Sequence, residues 1–409
     1  MFGTRISQRR AVGALVCLTA AMTSLTACRS SSSDSDSDSG GPIVVGVTVP
    51  QSGALASYGV IAKGIQAYFG SVNASGGISG HKVEVKVLDD GYQAAQSLNN
   101  VRKFVQQDHA SLVVGFGAIT SADRDYMQSA KVPLIAINGN ADMNRSEKYS
   151  YIRTELSDQR IDVIADAKAT SAAHPDAKVA LLSINSDIAD TLADGLTRGL
   201  SGGAKLTQKQ LYPATATDLT AYVNKLKSTD VTDVFINAAA PTLAATMKYI
   251  HQIGWKVRVH VFQNNASIAA AMSLVGNAAT GAISSFYFKD PADPRWASDA
   301  DMEKYRDIVG KYAAGTDANN LFTLVGFTTA EAAADALGRS DGEGGTKFLD
   351  AWDKIDSTTM IGYLPGVRVA YDPIDGRLFH SEQIVEFDGK SWQPVGDLQT
   401  VPAIPSSGQ

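Results

Sequence analysis

Short apolar segments alternate with amphipathic helical segments along most of the chain after residue 42, and this alternation constrains the fold more than any other feature. Ile43–Val49 is a nearly continuous apolar run of strand length, and Ile61, Ile65 and Phe69 then recur at helical spacing. A second series of strands and helices begins after Arg153. Such alternation predicts parallel sheets covered by helices on both faces. The two series therefore predict an α/β protein with two doubly wound lobes.

The predicted strands share apolar runs or strict alternation of apolar and polar residues. They are Ile43–Val49, Val83–Val87, Leu112–Phe116, Leu134–Ile137, Val179–Ile184, Val234–Ile236 and Val257–Phe262. Later apolar helices are predicted around Met302–Tyr312 and Leu324–Leu337.

The N-terminus predicts export across a membrane. Basic residues within the first ten positions precede an uncharged run over 11–27, which is the layout of a secretory signal peptide spanning residues 1–27. The run ends in Leu25-Thr26-Ala27-Cys28, which resembles a bacterial lipobox, so Cys28 is the predicted lipidation site and membrane anchor. Residues 28–41 then form a Ser/Asp-rich tether. Arg9-Arg10 leaves both the general secretory route and the twin-arginine route open.

Cysteine content and charge exclude several classes of protein. The chain has two cysteines, Cys17 within the predicted signal peptide and Cys28 at its end. The mature folded part therefore contains neither a disulfide nor a thiolate metal site. A formal net charge of −6 does not indicate the basic surface that is typical of nucleic acid-binding proteins.

Polar loops follow the predicted strands. Because open parallel sheets bind ligands at the carboxyl ends of their strands, these loops are the candidates for a binding cleft. They are rich in Asn, Ser, Thr and Gly, which offer neutral hydrogen-bond donors and acceptors, although the same residues also favour turns. They are Pro50–Tyr58, Gly117–Ser121, Asn138–Asn140, Asn185–Ala189, Asn237–Pro241 and Gln263–Asn265.

Catalytic and metal-binding motifs are absent from the sequence. We find no nucleophile elbow, Walker A loop or His-Glu-x-x-His pair, and the six histidines lack metal-ligand spacing. His260 alternates with valines and is predicted to face solvent. Asp89-Asp90 favours a structural role, because neighbours on a strand point to opposite faces. Gly115 and Gly117 predict a tight turn that brings backbone amides close to a small ligand, without a nicotinamide cofactor.

Four segments in one order resemble a known family. They are Pro50-Gln51-Ser52-Gly53 through Tyr58-Gly59, Asn73 through Gly80, Asp89-Asp90, and Tyr151-Ile152-Arg153-Thr154 with Ser157-Asp158-Gln159. Together they are similar to the branched-chain amino acid (leucine/isoleucine/valine) binding proteins of ABC transporters.

The resemblance implies a type I periplasmic-binding fold, in which two lobes joined by three crossovers close on a ligand. It places the crossovers near Arg153–Leu156, Ser284–Phe288 and Ile361–Leu364. Lobe I would comprise 42–155 plus 286–362, and lobe II 156–285 plus 363–409. The implied protein is a monomeric, non-enzymatic receptor without a cofactor or metal, which delivers a small molecule to ABC permease subunits.

The resemblance also implies the ligand contacts. Residue by residue, it transfers this role to Tyr58, Ala118, Ile119, Thr120, Ser121, Asn138, Gly139, Asn140, Asp187, Ile188, Ala239 and Gln263.

Several of these positions depart from the family pattern. Gln263 stands where the family has the acid that pairs with the ligand's ammonium group, while Ile188 and Ala239 replace aromatic residues. A buried ammonium group without a carboxylate partner is costly. The expected ligand is therefore an amide, a hydroxylated compound or a carboxylate lacking the amine, and not a simple branched-chain amino acid. Asp187 is the nearest carboxylate that could replace the missing acid, although a helix cap is its simpler interpretation.

Two other functions stay open at this point. A sensor subunit of the same fold would bind a ligand but report to a signalling partner, and the fold alone does not separate the two roles. An extracytoplasmic hydrolase would need a nucleophile and base, for which the sequence offers no constellation.

Overall fold

The computed structural model describes residues 41–143, 146–213 and 215–405. The predicted signal peptide, Cys28 and the tether up to residue 40 lie outside the described residues. Among the residues that are described, we find no helical segment with the length and hydropathy of a bilayer span.

Strands and helices alternate as the sequence predicts. The strands are β1 (Ile43–Val49), β2 (Val83–Asp89), β3 (Leu112–Phe116), β4 (Leu134–Ile137), β5 (Ile152–Thr154), β6 (Lys178–Ile184), β7 (Lys205–Tyr212), β8 (Asp233–Asn237), β9 (Arg258–Val261), β10 (Ile283–Phe286), β11 (Asp356–Ser357), β12 (Val369–Ala370), β13 (Ser381–Phe387), β14 (Trp392–Pro394) and β15 (Gln399–Thr400). The α-helices are α1 (Val60–Ala74), α2 (Ala94–Gln106), α3 (Ser121–Ala130), α4 (Gln159–Ala173), α5 (Asp187–Gly199), α6 (Thr220–Lys227), α7 (Ala240–Gln252), α8 (Ser273–Val275), α9 (Ala300–Tyr312), α10 (Leu321–Arg339) and α11 (Gly345–Trp352).

The first sheet has the strand order β2-β1-β3-β4-β5, and all of its neighbouring strands are parallel. Successive side chains of β1 enter different cores: Val45 packs with α1 and α10, whereas Val44 packs with Phe104 of α2 and Met127 of α3. All seven residues of β1 are therefore buried, which explains its continuous apolar run.

The second sheet repeats this order as β7-β6-β8-β9-β10, again with parallel neighbours. Helices α4 and α5 cover one face, where Val163 and Leu192 pack with Leu181. On the other face, Val223 of α6 and Leu243 of α7 join the main core. Both lobes are thus doubly wound, as predicted.

The sequence did not predict the antiparallel edge of the second sheet. β13 pairs antiparallel with β10, and β14 and β15 pair antiparallel with β13. These strands follow a long helical region, so their partner strand is remote in sequence. β7 was also missed, because its sequence Lys-Leu-Thr-Gln-Lys-Gln-Leu-Tyr is that of a polar edge strand.

Within the described residues, three segments connect the two sheets, and they touch one another. The first leads from β5 to α4, the second follows β10, and the third passes through Tyr363. The hydroxyl of Tyr287 accepts a hydrogen bond from Ser157 N at 3.2 Å, and Phe288 pairs antiparallel with Tyr363. The ring of Tyr287 stacks on Phe379 and the ring of Tyr363 packs against it at a tilt, both at centroid distances of 4.9 Å. The connections therefore form one packed hinge region.

The prediction for His260 was wrong. The side chain does not face solvent but is 1% exposed, and its ring stacks on Phe235 at 4.1 Å. Helix α4 covers this face of the sheet and brings Asp166 to the imidazole at 2.9 Å. Alternation with valines does not indicate exposure here because both faces of the sheet are buried.

Candidate functional site

A cavity of about 550 Å³ lies at the carboxyl ends of strands from both sheets. Its volume is within the usual range for sites that bind small organic molecules. Each lining residue is the last residue of a strand or lies in the loop or first helical turn that follows one, apart from Leu192 one turn further along α5. The lining residues are Tyr58, Tyr92, Asn140, Gln159, Ile184, Ser186, Asp187, Ile188, Leu192, Asn237, Phe262, Asn264 and Asn265.

Tyr58 is the aromatic anchor on the side of the first sheet. It lies in a short 3₁₀ segment, Gly53–Gly59, that follows β1. Its ring packs against Phe116 at 4.9 Å and, edge to face, against Phe322 at 4.5 Å. Burial, with a smaller effect of Tyr92, raises the pKa of the Tyr58 hydroxyl, which keeps it neutral. Tyr58 therefore offers the cavity a fixed ring and an uncharged hydroxyl group.

Tyr92 is held in the cavity by the two acids at the end of β2. Asp90 is buried, accepts a hydrogen bond from Thr48 Oγ1 at 2.8 Å, and accepts another from Tyr92 N at 2.8 Å. Its neighbour Asp89 accepts hydrogen bonds from Gln51 N and Gly91 N. The structural role predicted for this pair is thus confirmed, because both carboxylates organise loop backbone.

Gly117 makes room for Tyr92. Its φ of +69° is a conformation that favours glycine, and a Cβ atom there would lie 2.4 Å from the Tyr92 ring. The prediction of a glycine-dependent tight turn after β3 is confirmed at this position. The turn places an aromatic side chain, instead of bare backbone amides, beside the cavity.

An amide network forms the side of the second sheet. The backbone oxygen of Asn237 accepts a hydrogen bond from the Tyr212 hydroxyl at 2.7 Å. The Asn237 amide donates to Ser183 Oγ at 3.1 Å and accepts from Asn265 Nδ2 at 3.0 Å. These bonds fix the orientation of both asparagine side chains. Asn264 and Phe262 complete this side of the cavity.

Asp187 is the one ionisable acid among the described lining residues. It occupies the first turn of α5, where the helix dipole favours a carboxylate, and it is exposed. No described residue forms an ion pair with it. The same lining includes no Lys, Arg or His. The cavity therefore carries several neutral amides, three aromatic rings and one solvated negative charge.

The structure brings four of the predicted contact residues to this cavity: Tyr58, Asn140, Asp187 and Ile188. The remaining eight lie outside its lining, namely Ala118, Ile119, Thr120, Ser121, Asn138, Gly139, Ala239 and Gln263.

Local packing explains three of these placements. Ile119 is 4% exposed and fills the space above Gly115, in the core between α2 and α3. The backbone amide and hydroxyl of Thr120 both donate to Asp123 Oδ2, forming a capping box at the start of α3. Gln263 is buried, and its Oε1 accepts a hydrogen bond from Tyr287 N at 2.8 Å. Gln263 therefore supports the hinge region.

Five of the six predicted loops contribute lining residues and Gly117–Ser121 contributes none, and individual residues within the five were missed. Ser186, Asn237, Asn264 and Asn265 belong to loops that were predicted to line a cleft. Leu192 follows Ile188 by one helical turn, a spacing that could have identified it. Tyr92 lies in the loop after β2, which was not among the predicted loops, and its φ of +60° is unusual for a bulky residue.

No group of three or more His, Cys, Asp or Glu that could hold a metal ion occurs within the described ranges. The cavity residues likewise supply no set of anionic ligands for a cation.

Comparisons with known proteins agree with this architecture. A family model described as periplasmic binding protein matches residues 42–391. The Leu/Ile/Val-binding protein homolog 2 of Brucella abortus is 26% identical over 306 residues, which cover 73% of this chain and 80% of that protein.

Two solved structures are similar in fold. A branched-chain amino acid ABC transporter protein from Thermus thermophilus with bound valine has a TM-score of 0.77 and 18% identity, covering 88% of this chain and 97% of its own. A solute-binding protein of an ABC transporter from R. palustris, in complex with 4-hydroxybenzoate, has a TM-score of 0.74 and 18% identity. The match covers 90% of this chain and 99% of that protein.

Proposed function

The chain belongs to the periplasmic binding protein family, and from this membership we propose that it captures a small polar molecule between its lobes and delivers it to an ABC importer. The proposed site of action is outside the cytoplasm, with the folded part held at the membrane through a lipid on Cys28. The family is a class of solute-binding proteins, and we propose that this member has no enzymatic activity.

The observation that carries the proposal is the position of the cavity between two separately folded sheets. Tyr58 and Asn140 reach it from one sheet, whereas Asp187, Asn237 and Phe262 reach it from the other. A ligand bound there would contact both sides, so it would favour a state in which the sides are close together. The packed connections at Tyr287, Phe288 and Tyr363 are suited to act as the hinge.

We assign the moving bodies as residues 42–155 plus 286–362 and residues 156–285 plus 363–409. The packing of α9 and α10 on α1 supports the placement of the second segment with the first sheet. Pairing of β13 with β10 supports the placement of the C-terminal segment with the second sheet.

The lining favours an uncharged polar ligand bearing amide or hydroxyl groups over the carboxylate that the sequence also left open. Five lining residues carry side-chain amides, which donate and accept hydrogen bonds without charge, while the three aromatic rings suit an apolar portion of the ligand. A free carboxylate would find no cationic side chain in the lining and would face the negative charge of Asp187. An ammonium group on the ligand would find Asp187 as its one carboxylate partner in the described lining. That carboxylate is exposed to solvent and is stabilised by the start of α5.

A thermal-shift screen followed by calorimetry and small-angle scattering tests the proposal. The screen compares amides, hydroxylated compounds, amino acids and aromatic carboxylates, because a ligand that binds the folded state raises the melting temperature. We expect amides or hydroxylated compounds to bind, and saturation with the confirmed ligand to reduce the radius of gyration. A scattering profile that is identical with and without saturating ligand would contradict closure. Binding of anionic carboxylates alone would contradict the ligand class.

A further inference from the structure

Arg377 is a fully buried arginine between β12 and β13, in the segment that leads into the second sheet. Its guanidinium group donates to the carbonyl oxygen of Asn138 at 2.9 Å and to that of Asn140 at 2.6 Å. It also donates to the carbonyl oxygen of Leu156 at 2.6 Å. One side chain therefore joins the loop after β4 to the first connection between the sheets.

The loop Asn138–Asn140 is held against the same connection by its middle residue. The carbonyl oxygen of Gly139 accepts a hydrogen bond from Gln159 N at 2.9 Å. A Cβ atom on Gly139 would lie 2.7 Å from Gln159 Cγ, so the two segments approach too closely for a larger residue. All three carbonyl groups of the loop thus face the hinge region, while Asn140 and Gln159 also line the cavity.

Two carboxylates, those of Asp158 and Asp375, lie close to Arg377. Asp375 Oδ1 accepts a hydrogen bond from Arg377 N at 3.1 Å, and Asp375 is also within 3.0 Å of His380 Nε2. Burial lowers the pKa of the Arg377 guanidinium, and the negative charges of Asp158 and Asp375 oppose this effect. Asp158 begins α4, whereas Asp375 is close to Arg377 in the chain, so the charge balance of Arg377 depends on two segments that are remote in sequence.

We infer that Arg377 is a positioning residue for ligand capture, which sets the place of the Asn138–Asn140 loop relative to the hinge. This inference rests on the proposed function. A planar guanidinium fork reaches separate acceptors at once, whereas the compact ammonium group of a lysine does not. Movement at the first connection is transmitted to Asn140 through these bonds, so the loop and the hinge take up the ligand-bound geometry together.

Arg377→Lys tests the inference because it retains the charge and removes the fork. Arg153→Lys is the control: Arg153 is 5% exposed, donates to the carbonyl oxygens of Ser150 and Ile152 and pairs with Asp353, but it is not part of the cavity lining. The first measurement is amide hydrogen exchange of residues 138–143 without ligand. The second is calorimetry with the compound identified in the screen, at a temperature where each variant is folded by circular dichroism.

We expect Arg377→Lys to raise exchange in the loop about tenfold, because the loop then opens locally. We expect it to weaken ligand binding about tenfold, the effect of losing one hydrogen bond to a charged donor. Arg153→Lys should lower the melting temperature without either change. If both variants lower the melting temperature and neither alters loop exchange or affinity, Arg377 has only a structural role and the inference is overturned.

Two further outcomes remain decisive. If the wild-type protein binds no compound in the screen, the proposed function fails, and loop exchange in the ligand-free variants alone decides whether Arg377 positions the loop. If Arg377→Lys does not fold, Asp375→Asn replaces it, because this variant keeps the guanidinium group and removes one countercharge. Unchanged loop exchange in Asp375→Asn would then overturn the inference.

Discussion

Nδ1 of His260 lies 2.9 Å from Oδ1 of Asp166, although the two residues are 94 positions apart in the chain. The second ring nitrogen lies 3.2 Å from Asp233, which also pairs with Arg258. Burial alone would lower the pKa of His260, but the charges and hydrogen bonds of the two carboxylates raise it to about 9. The same contacts lower the pKa of Asp233 against the opposing effect of its burial. The imidazole is therefore positively charged at neutral pH.

Because His260 is charged in the folded state, the free energy of unfolding should fall as the pH becomes alkaline. Because the pKa is raised from 6.5 to about 9 on folding, the contribution is fully present below about pH 6.5 and is lost as pH rises through 9. The shift corresponds to about 3 kcal/mol of the free energy of unfolding. Urea titrations between about pH 6 and 10 should show this loss in the wild-type protein and a flatter profile in His260→Gln.

Exposed His174 provides the matched control for this experiment. His174→Gln should retain the wild-type dependence on pH. A His260→Gln profile parallel to that of the wild type would show that the ion cluster does not control alkaline stability.

The hydroxyl of Tyr287 should contribute measurably to stability. Tyr287→Phe leaves Ser157 N, which donates to that hydroxyl at 3.2 Å, buried without its acceptor. The expected loss in the free energy of unfolding is about 1–3 kcal/mol. The control is Tyr249→Phe, whose hydroxyl bonds Asn224 at an exposed site and should matter by less than about 0.5 kcal/mol. Equal effects of the two variants would count against a tight hinge region.

Leucine, isoleucine and valine should bind weakly or not at all. Asp187 is the one carboxylate of the described lining, and Gln263, where the resemblance places the family's acid, lies outside the cavity and supports Tyr287 N. Asp187 is solvated, so Asp187→Asn should change the affinity for the confirmed ligand by less than about threefold. Calorimetry measures both quantities.

Asn237→Leu is the positive control for this series, because it removes an amide from the cavity lining and should weaken binding about tenfold. A dissociation constant for leucine near 1 μM, about 8 kcal/mol of binding free energy, would refute the ligand class. A large loss in Asp187→Asn would instead identify an ammonium group on the ligand.

Cys28→Ala should release the folded part from membranes into the soluble fraction. The expectation follows from Leu25-Thr26-Ala27-Cys28 at the end of the apolar run, since the thiol is the atom that carries the lipid. Cys17→Ala, which changes the other cysteine of the chain, should leave membrane association intact. Fractionation followed by immunoblotting distinguishes the two. Equal membrane association of Cys28→Ala and wild type would exclude this anchor.

Much of the fold followed from local sequence pattern. Strands such as Ile43–Val49 and Leu134–Ile137 have the same limits in the structure as in the prediction, because a strand buried on both faces must be apolar throughout. The antiparallel strands β13 to β15 were not predicted, since their pairing partner lies far away in the sequence. Five of the predicted loops reach the cavity because parallel sheets gather the carboxyl ends of their strands at one edge, whereas the loop after β2, which carries Tyr92, was not predicted.

The sequence alone thus determined the two α/β lobes and five of the loops that surround the cavity, because each depends on hydrophobic period or on the polar residues that follow a strand. Tertiary structure decided which residues of those loops face the cavity and which, like Ile119 and Gln263, are buried in packing. It also decided the charge of His260 and the partners of Arg377. Those properties depend on burial and on distances to groups remote in sequence, and local pattern carries no information about either.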